Sequence, residues 1–281
     1  MKRKMVAGLL ITFMAAPLAL VWPGRNCSLG FAESRPADQA IRATHPAVVV
    51  ELFTSEGCSS CPPADKLLSW LAEHQPVSDV EIIPLSEHVD YWNHLGWSDP
   101  YSSAAFSERQ QEYSGSLGGG VYTPEMVVDG KIGFVGADKS QAIKSISEES
   151  RLPKASVEIQ PKGPGDSVAK DKVTFSIKVE KLPSVEGNKK AVVFLAVTES
   201  NLRSNVSGGE NSGRMLTHTA VVRELKPIGQ LDAASGATFS AQPVVVVSNV
   251  WKRANLRAVV WVEIKGKHTI LGAAVTQFPS L

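Results

Sequence analysis

The sequence is poor in cysteine: three in 281 residues, too few for a disulfide-stapled mini-protein. It also lacks an excess of charge of either sign, with 29 basic side chains against 28 acidic ones and a formal net charge of +1. That balance removes the basic surplus on which nucleic-acid binding usually rests. No internal repeat or low-complexity tract is present, and 43% apolar residues with mixed charges argue against disorder. What remains is a chain long enough for one large domain or two of ordinary size.

The first segment changes these totals. Met1-Lys2-Arg3-Lys4 is a basic head, Met5 to Trp22 is an apolar run, and Gly30-Phe31-Ala32 offers small side chains at a cleavage spacing. Residues 1–32 are therefore expected to be a secretory signal, giving a periplasmic or secreted protein. The run is long for a signal core, and an N-terminal membrane anchor is the alternative. Cys27 follows Arg25-Asn26 instead of small residues, which argues against a lipoprotein. Cleavage after Ala32 takes away Lys2, Arg3, Lys4 and Arg25 and no acid, leaving 25 bases against 28 acids. It also leaves only Cys58 and Cys61, a C-x-x-C pair in an exported protein.

Residues 33–46 read as a flexible lead-in. Val48 to Phe53 reads as a strand buried on both faces, being short, continuous and β-branched. A turn through Glu56-Gly57 carries Cys58-Ser59-Ser60-Cys61-Pro62-Pro63 into a helix from Ala64 to His74. Leu67, Leu68 and Leu71 make that helix amphipathic, and the two prolines suit its first turn. Strands follow at Val80 to Leu85, Glu125 to Val128 and near Ile132 to Val135. Helices are expected at Tyr101 to Tyr113, broken by the glycine-rich loop from Gly115, and at Ala137 to Glu149. Beyond Pro153 the helix signals mostly stop and alternating runs take over: Val173 to Val179, Ala191 to Val197, Met215 to Val222, Val244 to Val247 and Ala258 to Ile264. The expectation is an α/β domain over 47–152 and a mainly antiparallel β-sandwich-like domain over 153–281.

A C-x-x-C pair at a strand-to-helix turn has a chemical logic. Free N–H groups and the partial positive charge at the helix start stabilise a thiolate on Cys58. Cys61, three residues on, is placed to attack a mixed disulfide and release the product. Glu56 opposes thiolate formation, and Ser59 and Ser60 can donate hydrogen bonds to sulfur. Two other uses stay open. One is a structural disulfide, common in exported proteins. The other is a metal site, for which the pair supplies two ligands; copper held by Cys58 and Cys61 with His88 or Met126 is the version considered.

These parts resemble the thioredoxin-like superfamily: the buried strand Val48 to Phe53, the cysteines at a helix start, and Thr123-Pro124 before a later strand. The resemblance implies a cis-proline at Pro124 opposite the cysteines, with Thr123 beside it pairing to substrate backbone. It also implies that Glu51, an acid inside an apolar strand, relays protons to the resolving cysteine. Read from physics alone, Glu51 equally suits pairing with a Lys or Arg of the second half, since an unpaired buried carboxylate is costly. More narrowly, Glu51 to Asp65, His88-Val89-Asp90-Tyr91-Trp92 and Tyr122-Thr123-Pro124 resemble the exported family called domain of unknown function 1223. That resemblance extends more weakly to Glu210-Asn211-Ser212-Gly213-Arg214 and Leu216-Thr217-His218. It implies a thioredoxin-like fold and no established activity. Gly57, the Ser-Ser between the cysteines and Pro62-Pro63 depart from ordinary thioredoxins.

His88, Asp90, Tyr91, Trp92 and His94 form the densest polar-aromatic cluster, expected at the same sheet end as the cysteines. They suit proton transfer or partner gating, or simply a packed loop. Arg214, Leu216 and His218 fall on one strand face, either contacting the first half or a ligand, or merely solvated. The expected function is exported thiol–disulfide exchange with a protein or small-thiol partner. A membrane-bound reductant is a possible source of electrons, no cofactor is needed, and nucleic acid is not a partner. This requires the two sulfurs to share a solvent-facing pocket beside Pro124. The competing expectation is a binding protein on the same scaffold, with a structural disulfide or copper-binding cysteine pair.

Overall fold

The chain is described here by a computed structural model covering residues 45–162, 171–185, 190–233 and 236–280. The expected leader and residues 33–44 of the lead-in lie outside them. No helix among the described residues is long and apolar enough to cross a membrane.

In chain order the first half holds β1 (Ala47–Thr54), α1 (Pro62–His74), β2 (Glu81–His88), α2 (Ala104–Leu117), β3 (Glu125–Val128), β4 (Ile132–Val135) and α3 (Lys139–Glu149). The second half holds β5 (Ser156–Pro161), β6 (Lys172–Glu180), β7 (Lys190–Glu199), β8 (Leu202–Asn205), β9 (Met215–His218) and β10 (Val221–Asp232). It continues with β11 (Phe239–Ala241), β12 (Val244–Val246), β13 (Leu256–Ile264) and β14 (Ile270–Gln277).

β1 is buried at every position because both its faces are covered. Val48, Val50 and Leu52 pack against Leu67, Leu68 and Leu71 of α1 and Ile146 of α3. Val49 packs on the other side with Leu85 and Phe106 of α2. β2 runs parallel to β1 from Ala47↔Glu81 to Thr54↔His88, and β3 runs antiparallel on its other edge.

The sheet does not stop where the chain changes texture. Eight strands form one sheet in the order β14-β13-β7-β10-β2-β1-β3-β4. The joint between the halves is narrow, a single parallel pairing of Val221 with Ser86. Below it, the free edge of β2 is closed by its own sequence: the Gln75 amide bonds both the N–H and the carbonyl of Ile82, and Pro84 has no N–H to offer. β7 and β13 are covered on both faces. Val193, Leu195, Val260 and Val262 meet Val157, Phe175 and Ile177 of the smaller sheet formed around β6. Ala196, Val259 and Trp261 turn to Val49 and Leu85 of the first half.

Two local expectations are corrected. α2 starts at Ala104, where the Ser103 side chain caps the Ala105 N–H, and it runs through Gly115 to Leu117. The break comes at Gly118, whose φ of 77° a β-carbon would resist. The run Met215 to Val222 is two strands, because Ala220 takes φ 53° and turns the chain from β9, paired with β8, into β10, paired with β7.

Candidate functional site

The site is built where β1 runs into α1. After Thr54 the chain turns tightly, with Cys58 N–H donating to Ser55 O (3.2 Å) and Cys61 N–H to Cys58 O (3.2 Å). Cys61 is the residue before the helix, its carbonyl accepting from the N–H groups of Ala64 and Asp65, and Pro62 and Pro63 fill the first helical positions. Cys58 and Cys61 are joined by a disulfide, with their α-carbons 5.5 Å apart. The Thr123–Pro124 peptide bond is cis. Ser60 links the two motifs: its hydroxyl lies 3.3 Å from Cys58 Sγ and donates to Thr123 O at 3.4 Å. Trp92 Nε1 donates to Thr123 Oγ1 at 2.8 Å and so braces the proline loop from its other side.

The sulfurs do not face solvent. Both cysteines are 0% exposed, which corrects the expected open pocket. The second half packs onto the cysteine turn from outside. Between β8 and β9 the chain crosses the cysteine turn as a strap over 206–214, closed at its base by Val206 N–H to Arg214 O and Gly213 N–H to Val206 O. The buried amide of Asn211 donates to Glu56 O (2.9 Å) and Cys58 O (2.7 Å). Glu210 accepts from the N–H and the hydroxyl of Ser59, and these bonds hold its carboxyl below the usual range. The approach is backbone to backbone: a β-carbon on Gly209 would lie 3.3 Å from Gly57 Cα, and one on Gly208 would lie 2.2 Å from Gly96 O in the loop after β2.

Behind the disulfide lies a buried polar layer. Glu56 accepts from Trp97 Nε1 and from His218 Nε2, both at 2.8 Å. Asp99 accepts from Glu56 N–H and Tyr101 N–H and pairs with His88 Nδ1 at 2.7 Å. The His88 and His218 rings meet edge to face with centroids 4.9 Å apart. On the α1 side, Asp65 accepts from the Thr54 hydroxyl, and burial pushes its carboxyl up. Burial would pull His88 down, but Asp99 beside it wins and holds it above the ordinary histidine range. Burial likewise opposes the Asp99 charge, yet His88 and the two backbone donors keep Asp99 low.

The two shifts set a pH window. The His88 contribution is fully present below its unfolded value of about 6.5 and is lost as pH rises through its higher folded value. The Asp99 contribution is present above about 3.9 and is lost as pH falls through its lower folded value. Stability from the pair is therefore greatest between about pH 4 and 6.5. His88→Gln keeps a donor but no charge. It is expected to cost about 1–2 kcal/mol in that window and less above it, read from urea midpoints across pH. An equal loss at every pH would show that His88 carries no charge here.

A family model described as protein of unknown function DUF1223 matches residues 49–263. The chain belongs to the DUF1223 family. That match spans both halves, so disulfide turn and strap lie within one family unit. No curated protein matches the chain. A structural-genomics crystal structure of an Agrobacterium tumefaciens protein is similar at 28% identity and a TM-score of 0.58, covering 83% of this chain and 95% of that one. HBP35 of Porphyromonas gingivalis shares the fold at 15% identity and a TM-score of 0.60, covering 83% and 76%.

Not every residue singled out in this DUF1223 sequence reaches the disulfide. Thr123 is tied to it through Ser60, with Pro124 next in the chain and Trp92 bonded to Thr123. His88 sits one layer behind it. Asp90 instead accepts from Ser107 of α2, and His94 bonds Tyr91 O at the surface. Glu51 is drawn away from α1 to the opposite face of β1, where Arg109 Nε binds it at 2.6 Å and the Tyr113 hydroxyl donates to it. That arrangement is the pairing alternative for Glu51, with the arginine supplied by α2. Arg214 lies exposed before β9 and bonds Asn211 Oδ1, whereas His218 is buried on β9. Of the residues considered for copper, His88 Nδ1 is taken by Asp99 and Met126 is packed in the apolar cluster of β1 and α1. Among the described residues no group of three or more His, Cys, Asp or Glu is set to hold a metal. Asn211, Asp99 and Asp65 were missed by sequence reasoning. Asn211 lay within the weaker block of family resemblance and Asp65 at the end of the stronger one; Asp99 carried no local signal.

Proposed function

We propose that this chain is an exported thiol–disulfide oxidoreductase of thioredoxin-like build, its disulfide kept under the strap until a partner displaces it. The observation that carries the reading is the Cys58–Cys61 disulfide at the start of α1, tied through Ser60 to the carbonyl of Thr123 just before Pro124. With the strap lifted, a partner thiolate attacks Cys58 Sγ, the bond to Cys61 breaks, and the Cys61 thiolate takes up a proton. A second partner thiol then displaces Cys58. The partner leaves as a disulfide and the cysteine pair is reduced by two electrons. In the reverse direction the Cys58 thiolate attacks a partner disulfide and Cys61 resolves it, with electrons supplied from a membrane-bound reductant.

One observation favours a second reading, a non-catalytic binding scaffold stapled by this disulfide: both sulfurs are fully covered. Cys61→Ser in the native compartment separates the two. Catalysis predicts covalent adducts through Cys58 that dithiothreitol releases. The staple predicts no adduct, and a Cys58→Ala/Cys61→Ala protein destabilised by about 2–5 kcal/mol that still binds its partners.

A further inference from the structure

Beside the strap, α1 and the β8–β9 hairpin enclose a cleft of about 810 Å3 that the exchange chemistry does not use. Its charge is unlike that of the whole chain. Lys66 of α1, Arg203 of β8 and Lys252 line it together with one acid, Glu73. All three cations are exposed, and none of them enters an ion pair among the described residues.

The neutral groups in the wall have the same polarity. Thr219 accepts from Ser69 Oγ (2.8 Å), so its own hydroxyl proton is free to be donated. The Tyr101 hydroxyl accepts from Ser204 (3.4 Å) and is left in the same state. A wall of unpaired cations and spare O–H donors is matched by a ligand rich in anionic oxygen. We infer that this cleft binds a small polyanion, a molecule carrying two or more phosphate or carboxylate groups, between α1 and the hairpin. His218 belongs to the same wall while its Nε2 holds Glu56 of the cysteine turn, so the ligand would sit one residue from the strap's anchorage.

The inference concerns binding and stands apart from the redox reading. It is tested on the full chain lacking only its leader, by calorimetry at low ionic strength with pyrophosphate and, separately, citrate. Saturable one-to-one binding of either probe is expected, and the preferred probe tells phosphate from carboxylate. In Lys66→Glu/Arg203→Glu the affinity should fall by about tenfold or more, because two attractive charges become repulsive. Lys144→Glu, an equal change per site away from the cleft, should bind as the parent does. Circular dichroism confirms that the variants fold, and Lys252→Ala provides a milder second loss. No saturable binding of either probe, or equal weakening by Lys144→Glu, overturns the inference.

Discussion

Arg109→Met is expected to destabilise the protein by about 3–5 kcal/mol, the usual cost of breaking a buried ion pair from one side. Arg109 reaches Glu51 of β1 at 2.6 Å and Glu263 of β13 at 2.9 Å, with Glu87 of β2 at 3.8 Å. Its guanidinium lies among the rings of Tyr113, Phe194 and Trp261. Burial disfavours the arginine charge, but Glu51 leads the neighbours that outweigh it and drive the guanidinium pKa well upward. Burial opposes the Glu263 charge as well, and Arg109 leads the partners that keep that carboxyl low. Burial drives the Glu87 carboxyl well up, and the Glu51 charge adds to that rise. Methionine fills much of the space but strands Glu51 and Glu263. Urea unfolding reads the loss, and adding Glu51→Gln and Glu263→Gln should recover part of it. A cost under about 1 kcal/mol would mean that Arg109 does not hold the two halves together.

The second large effect concerns the strap. Asn211→Ala removes two buried hydrogen bonds and leaves the carbonyls of Glu56 and Cys58 without their donor. Loss of about 2–3 kcal/mol from the closed state raises the open population about 30- to 150-fold. Reduction of the disulfide by dithiothreitol should accelerate by the same factor if reagent enters only when the strap lifts. Glu210→Gln, altering a solvated contact, should change the rate only a few-fold. Equal rates for Asn211→Ala and the parent would show that the sulfurs are reached by another route, and the strap would lose its gating role.

Both effects depend on residues that local sequence patterns handle unevenly. The strand Val48 to Phe53, the cysteine turn and the helix after it were legible because each rests on neighbours a few positions away: a β-branched run, C-x-x-C spacing, leucines on one helical face, prolines where no N–H is needed. Thr123-Pro124 was legible only through family resemblance. The Asn211 cover was not legible, since its two carbonyl partners lie 155 and 153 residues earlier. Glu51 illustrates the same limit. Its burial could be read from the strand around it, but Arg109 lies 58 residues on and belongs to the first half.

The sequence by itself determined the three helices and most of the longer strands, though not β5, β8, β11 or β14, and that its two late cysteines are close enough to bond. Those outcomes follow from periodicity and chain geometry over a few residues. Only the tertiary structure decided that the sheet would run unbroken through both halves, that the disulfide would be covered, and that Glu51 would face away from it. Each of these turns on which distant surface excludes water from a given side chain. That depends on how the whole chain packs, and no local pattern carries it.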